Sequence, residues 1–200
     1  MKILAFTDIH GSKQAIRKIK SKVYLYNPDA IVCTGDISNF EKNIFQLLAG
    51  ISNMKKPVVI IHGNHESENS FSRAVKKFKN IFYVHGSSFC FDNVLFFGYG
   101  GGGFDIIDEE LKKLSKNITA IIKNSKDKKI VLLSHGPPYK TKLDSINGYH
   151  HGNKTLRNLI EHSKIDLVVC GHMHENFGKE DYIGKTRIVN PGPYGKIIIV

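Results

Sequence analysis

Cysteine is scarce in this chain, and its placement argues against two chemistries. Cys33, Cys90 and Cys170 are spread along 200 positions with no Cys-x-x-Cys pair, so neither a disulfide framework nor a thiolate zinc site is expected. Cys33 and Cys170 lie inside apolar runs, where a free thiol behaves as a small buried hydrophobe. No uninterrupted apolar stretch approaches the roughly 18 to 20 residues of a membrane span, and the run from Met1 meets Asp8 too early for a secretory signal. The expectation is a soluble, cytoplasmic chain with no membrane partner. Acidic residues are also short, 18 against 29 basic, for a formal net charge of +11. That excess points to an anionic partner, a phosphorylated substrate or nucleic acid. The lysines are nevertheless scattered over most helices and turns without an interleaved aromatic row for base stacking, so a solvated face accounts for much of the charge. Internal repeats, low-complexity tails and long linkers are missing. With 41% apolar content to fill a core, residues 1–200 read as one domain; oligomeric state is not legible.

What is present is a series of short, β-branched apolar runs at residues 2–6, 30–33, 57–61, 129–133, 166–170, 187–189 and 196–200. They read as strands buried on both faces. Between them, Ala15, Ile16, Ile19 and Val23 recur with helical spacing behind a Ser12 cap, and Phe71, Ala74, Val75 and Phe78 do so before Asn80. A third helix is expected from about Ile106 to Ile122, and a fourth around Leu156, Leu159 and Ile160 after Asn153. Strand, helix, strand in alternation predicts parallel pairing with crossover helices. Residues 81–84, 89–91 and 94–98 are too closely spaced for that, with Asp92-Asn93 placed for a tight turn, so this middle part is expected to be antiparallel. The run Gly100-Gly101-Gly102-Gly103 could bring backbone close to a ligand, though a lone glycine run is more often a flexible turn.

Five of the runs are each followed by a small group of metal-ligating residue types: Asp8-Ile9-His10, Gly35-Asp36, Gly63-Asn64-His65-Glu66, Ser134-His135-Gly136 and Gly171-His172-Met173-His174. In parallel α/β sheets the carboxyl ends of the strands meet at the crevice where ligands bind, so residues far apart in the chain assemble there. Carboxylate, amide oxygen and imidazole together suit borderline divalent first-row metals. In Asp-x-His and His-x-His, residues two apart on extended backbone face the same side. Any one of these pairs is usually a turn or a satisfied polar residue; five in order, each behind an apolar strand, are not readily explained as structure alone.

This ordered set resembles the calcineurin-like metallophosphoesterase superfamily over nearly the whole chain. Its later part, with Ser134-His135-Gly136-Pro137-Pro138, Gly171-His172-Met173-His174-Glu175 and Val189-Asn190-Pro191-Gly192, is similar to small prokaryotic phosphoesterases related to cyclic-nucleotide phosphodiesterases. The resemblance implies a four-layer αββα sandwich with two mixed central sheets and the metal site at the C-terminal ends of strands. It implies one divalent ion on Asp8, His10, Asp36 and His174 and a second on Asp36, Asn64, His135 and His172, with Asp36 as the bridge and the metal drawn from Mn, Fe, Co, Ni or Zn. One departure stands out: Glu66 follows His65 where the family commonly has Asp. Two such cations about 3.5 to 4 Å apart share a bridging hydroxide that attacks phosphorus in line. His65 is then expected to stabilise the transition state or protonate the leaving group, with Glu66 orienting it.

His150 and His151 precede the Gly152-Asn153 helix start and are candidates for the mouth of the cleft, where they would meet substrate. His62, His85 and His162 read as surface or satisfied core positions, and Asn190 as a side chain holding neighbouring backbone. The expected function is hydrolysis of a phosphodiester or phosphomonoester, a small or nucleotide-like substrate. Two alternatives use the same fold: a nuclease, favoured by the basic balance, and a binding or scaffold protein that has lost catalysis.

Overall fold

The structure is a computed structural model and describes residues 1–103 and 105–200. Its first sheet has the order β13 (Lys196–Ile199), β1 (Lys2–Phe6), β2 (Ala30–Cys33), β3 (Val58–Ile60) and β4 (Ile81–Tyr83). Strands β1 to β4 run parallel, and β13 is antiparallel to β1. The second sheet has the order β11 (Glu180–Ile183), β12 (Thr186–Val189), β10 (Leu167–Val169), β7 (Lys129–Ser134), β6 (Val94–Tyr99) and β5 (Ser88–Phe91). Its central strands are parallel and both edge strands antiparallel to their neighbours.

Period-2 alternation divides the strand residues between three apolar clusters. Leu4, Phe6, Ile31, Cys33 and Ile60 face α1 (Lys13–Tyr26), α2 (Ile44–Ser52) and α3 (Glu68–Val75). Ile3, Ala5, Val32 and Val59 face the other way and meet Phe96, Val131, Leu133 and Val169 between the sheets. Leu132 and Val168 pack outward against α4 (Glu109–Lys123) and α5 (Lys154–Glu161). Three buried clusters separated by two sheets make four layers, so the αββα expectation holds. Sequence caps act as read: Ser12 accepts from Ala15 N at 3.2 Å and Asn153 from Leu156 N at 2.8 Å.

The middle of the chain needs a correction. The hairpin β5–β6 is antiparallel, with Asp92 in the left-handed region at φ 50°, but residues 81–83 join the first sheet parallel to β3. Helix α3 is the crossover that carries the chain from β3 to β4, and such a crossover delivers a parallel neighbour. The sequence pattern does not signal α2, the edge strand β11, the 3-10 turn His174–Asn176, or the small hairpin of β8 (Ser145–Ile146) and β9 (Tyr149–His150). The hairpin's turn is Asn147-Gly148, both at positive φ, the pairing that two-residue turns favour.

Candidate metal centre

Asp8 and His10 follow β1, Asp36 follows β2, Asn64 and His65 follow β3, His135 follows β7, and His172 and His174 follow β10. The carboxyl edges of both sheets therefore contribute. Asp8, His10, Asp36 and His172 all have left-handed φ, between 42° and 68°. Non-glycine residues adopt that region infrequently, Asp and His more readily than most, and four of them gather at this site. Close approach needs small neighbours. A Cβ on Gly63 would strike Asp36 Oδ1, and one on Gly171 would strike Thr7 Oγ1 and Asp8 Oδ2.

Asp36 stands at the centre. Its Oδ2 lies 3.7 Å from His10 Nε2, 3.6 Å from His135 Nε2 and 3.9 Å from His65 Nε2, while Oδ1 accepts from His65 N at 2.9 Å. On one side, His174 Nε2 is 3.3 Å from His10 Nε2 and 3.7 Å from Asp8 Oδ1. On the other, Asn64 Oδ1 lies 2.9 Å from both His135 Nε2 and His172 Nδ1. Ligand atoms of Asp8, His10 and His174 lie within 4.8 Å of one another, as do those of Asp8, Asp36 and His135.

Two features fit this pocket to cations rather than to a purely structural polar network. Asp8 Oδ1 is buried and accepts no hydrogen bond among the described residues, whereas Oδ2 takes the Thr7 hydroxyl at 2.6 Å and His172 N at 3.0 Å. An ionised oxygen left bare in the interior is costly unless a cation satisfies it. His135 Nδ1 is 2.8 Å from the Thr34 carbonyl, so that nitrogen carries the proton in a neutral ring and Nε2 turns its lone pair toward Asn64 Oδ1. Lone pair facing lone pair is relieved by a cation.

The electrostatics agree for most of the candidate ligands. Burial raises Asp8, but His174, His135, the Thr7 hydroxyl and His172 N outweigh it and hold the carboxyl below its ordinary value. Burial lowers His10, and lowers His172 to about 4 with help from His135. Both rings are thereby favoured in the neutral form that ligates. His174 goes the other way, raised by its contact with Asp8, so a cation there competes with a proton more than it does at a free imidazole.

The orienting role expected for Glu66 is not what the structure shows. Glu66 is buried, and its carboxylate accepts from Asp36 N (3.0 Å), Gly63 N (2.9 Å), Ser38 N (2.8 Å) and Ser38 Oγ (2.7 Å). Its longer side chain reaches past His65 into the backbone donors of two loops and ties the turn after β2 to the turn after β3. Burial pushes its pKa up, opposed by the Ser38 and Gly63 N–H groups. Glu66→Ala leaves those donors unpaired and is expected to cost about 3 kcal/mol or more, read as a fall in denaturation midpoint with chelator present. An unchanged midpoint would remove Glu66 from this role.

His65 itself stacks on Phe40 with centroids 4.3 Å apart and meets His10 edge-on at 4.7 Å. Its Nδ1 is buried without a hydrogen-bond partner among the described residues, and Nε2 faces Asp36. Nothing in the sequence around Asn39-Phe40-Glu41 signals that stack. His150 Nδ1 is held 2.8 Å from the buried Asp144, with its ring against Tyr139, and His151 N donates to the Asp144 carbonyl. Both lie on the segment between β7 and α5, downstream of His135. Asn190 behaves as read: Nδ2 donates to the Met173 carbonyl and Oδ1 accepts from Gly192 N, bracing the His172–His174 turn.

His62 is buried beneath the site, its Nδ1 2.8 Å from Tyr83 Oη. Burial, with His85 and His135 nearby, lowers its pKa to about 4. The folded state therefore keeps His62 neutral, while the unfolded chain binds that proton from about pH 6.5 downward. Stability from this group is complete above 6.5 and is lost progressively toward pH 4, by up to about 3 kcal/mol. With chelator present, the urea midpoint should fall over that window, and less steeply in His62→Gln. Equal slopes would assign the loss to other groups.

A family model described as calcineurin-like phosphoesterase matches residues 1–176. An uncharacterized protein of Methanocaldococcus jannaschii is 33% identical over 215 aligned positions, spanning 96% of this chain and 88% of its own length. Among solved structures, a dimetal phosphatase from Danio rerio superposes with a TM-score of 0.71 at 11% identity, covering 94% of this chain and 86% of that one. An archaeal protein described as a novel phosphodiesterase gives 0.58 at 18% identity, covering 96% and 84%.

Proposed function

Because the chain belongs to the calcineurin-like phosphoesterase family and is thereby a hydrolase of phosphoesters, we propose that it cleaves a small phosphoester at a centre of two divalent cations. Asp8, His10, Asp36 and His174 would hold one cation, and Asp36, Asn64, His135 and His172 the other. The observation that carries this reading is Asp36 Oδ2 standing between His10 and His135 at 3.7 and 3.6 Å, which suits a carboxylate shared by two ions. When bound, the cations supply positive charge for the phosphoryl oxygens and lower the pKa of water toward neutrality. Oxygen and nitrogen ligands without thiolate are compatible with Mn, Fe, Co, Ni or Zn.

The chain's own residues do the rest. Asp8 and Asp36 concentrate negative charge where the cations sit, and Thr34, through its carbonyl, sets the His135 tautomer so that Nε2 faces inward. His65 presents Nε2 on the same side as Asp36 Oδ2, from where it would give a proton to the leaving oxygen. Phe40 and His10 clamp its ring, which limits rotation away from that position. Glu66 acts as a positioning residue, holding the turns that carry Asp36 and His65 in register.

A silent scaffold would have no need for every ligand position to be filled, and all seven are. Of the structural neighbours, one is described as a dimetal phosphatase and another as a phosphodiesterase, which supports both ester classes as test substrates. The test is metal analysis together with hydrolysis of bis(p-nitrophenyl) phosphate and p-nitrophenyl phosphate, with Mn²⁺ supplied. About two equivalents of metal and turnover of at least one ester are expected. A fully loaded protein inert toward both, and toward single-stranded DNA, would refute the proposal and favour the scaffold.

A further inference from the structure

A cleft of about 730 Å³ opens beside the metal centre, beginning at His10 and Gly11 and running between α1 and α2. It falls within the roughly 300 to 1,000 Å³ typical of small-ligand sites. Lys13, Arg17 and Lys42 line it, and no acidic residue does. Among the described residues, none of these three cationic heads has a carboxylate within ion-pair distance. Three unneutralised cations around one hollow repel one another, an arrangement that an anion would relieve. Amides from Asn39, Asn43 and Gln46 share the wall, and Asn43 makes no side-chain capping bond although it stands at the N-cap of α2. Ile16 and Leu47 give the cleft an apolar part. Next to Asn39 in the chain, Phe40 stands 74% exposed over His65.

We infer that this cleft seats the substrate's leaving group, and that this group is a phosphorylated, ring-bearing alcohol of the nucleotide type whose own phosphate rests on Lys13, Arg17 and Lys42. The inference rests on the phosphoester reading above and extends it to a substrate class. The scissile phosphate lies over the metal residues, and His10 is both a metal residue and the rim of the cleft, so the departing half of the molecule passes directly onto the cationic wall. Asn39, Asn43 and Gln46 offer donors and acceptors to a base or sugar, and Ile16 and Leu47 its apolar face.

The test compares binding of two phosphate esters to the metal-loaded full chain by calorimetry, with release of inorganic phosphate followed alongside so that only uncleaved ligand is counted: adenosine 5′-monophosphate and adenosine 3′,5′-bisphosphate. Both can place one phosphate on the metal centre, so only the second phosphate reports on the cleft. For the wild type it is expected to tighten binding by about tenfold or more, equivalent to about 1.4 kcal/mol. In Arg17→Ala, and in the double variant Lys13→Ala with Lys42→Ala, that gain should shrink to below about threefold, the order expected when a charge-assisted phosphate contact is removed. All three residues are exposed, so folding is not at stake. A wild-type ratio near one, or a gain that survives both variants, would overturn the inference. Failure of the function itself is read separately, from aryl ester hydrolysis by the wild type, which involves no second phosphate.

Discussion

Asp36→Asn is expected to reduce bound metal to less than about one equivalent and turnover by at least about 10³-fold. The carboxylate faces both halves of the centre, with His10 on one side and His135 on the other. Asparagine keeps the shape and still offers an oxygen to His65 N, which Asp36 Oδ1 now accepts at 2.9 Å. What it loses is the negative charge, and it turns an N–H₂ toward imidazole lone pairs in place of an acceptor. In the absence of metal that exchange suits the histidines, so the variant should melt with chelator at or above the wild-type temperature. The rise in melting temperature that metal gives the wild type by binding only the folded state should be largely gone. Metal content measured after dialysis, beside melting with and without Mn²⁺, separates a lost cation site from a damaged fold. Full occupancy with undiminished turnover would refute the shared-carboxylate centre.

His65→Ala carries the second large effect, a fall in kcat of about 10²- to 10⁴-fold with metal content retained. His65 Nε2 looks toward Asp36 Oδ2 from 3.9 Å, on the side where a leaving oxygen would emerge. A proton donor matters most when the leaving group is a poor one, so the loss should be larger for an alkyl ester than for p-nitrophenol. The geometry supplies a competitor: ligand atoms of His10, Asp36 and His65 also lie within 4.8 Å of one another. If His65 is a metal ligand, the alanine variant loses metal and slows both esters alike. Metal retained, with the leaving-group dependence steepened, identifies the proton donor.

Much of this molecule is legible before any coordinates. Strand positions such as 2–6 and 30–33 are readable because burial on both faces demands unbroken β-branched runs, and Ser12 and Asn153 announce helix starts because a side-chain oxygen there satisfies orphan N–H groups. Helix α2 is not legible because the polar turn at 39–43 hides its start, and Asn43 makes no side-chain cap. Strand β4 reads as antiparallel yet joins β3 in parallel, because pairing depends on where the preceding crossover lands, which local pattern does not carry. The Glu66 departure is visible in sequence, but its consequence is not. The Glu66 carboxylate meets the backbone N–H groups of residues 36, 38 and 63, and only the folded turns show those donors waiting.

The sequence by itself determined which chemistry the chain can perform, because ligand identity is a property of residue type, and order behind strands is a property of the chain. Together with the family resemblance, that logic names Asp8, His10, Asp36, Asn64, His135, His172 and His174 as candidate ligands. Tertiary structure decided which atoms face which: that Thr34 turns His135 inward, that Glu66 braces rather than orients, and that Lys13, Arg17 and Lys42 share one cleft beside His10. Those are distances between groups from different turns and helices, set by how two sheets and their covering helices pack. No spacing along one chain encodes them.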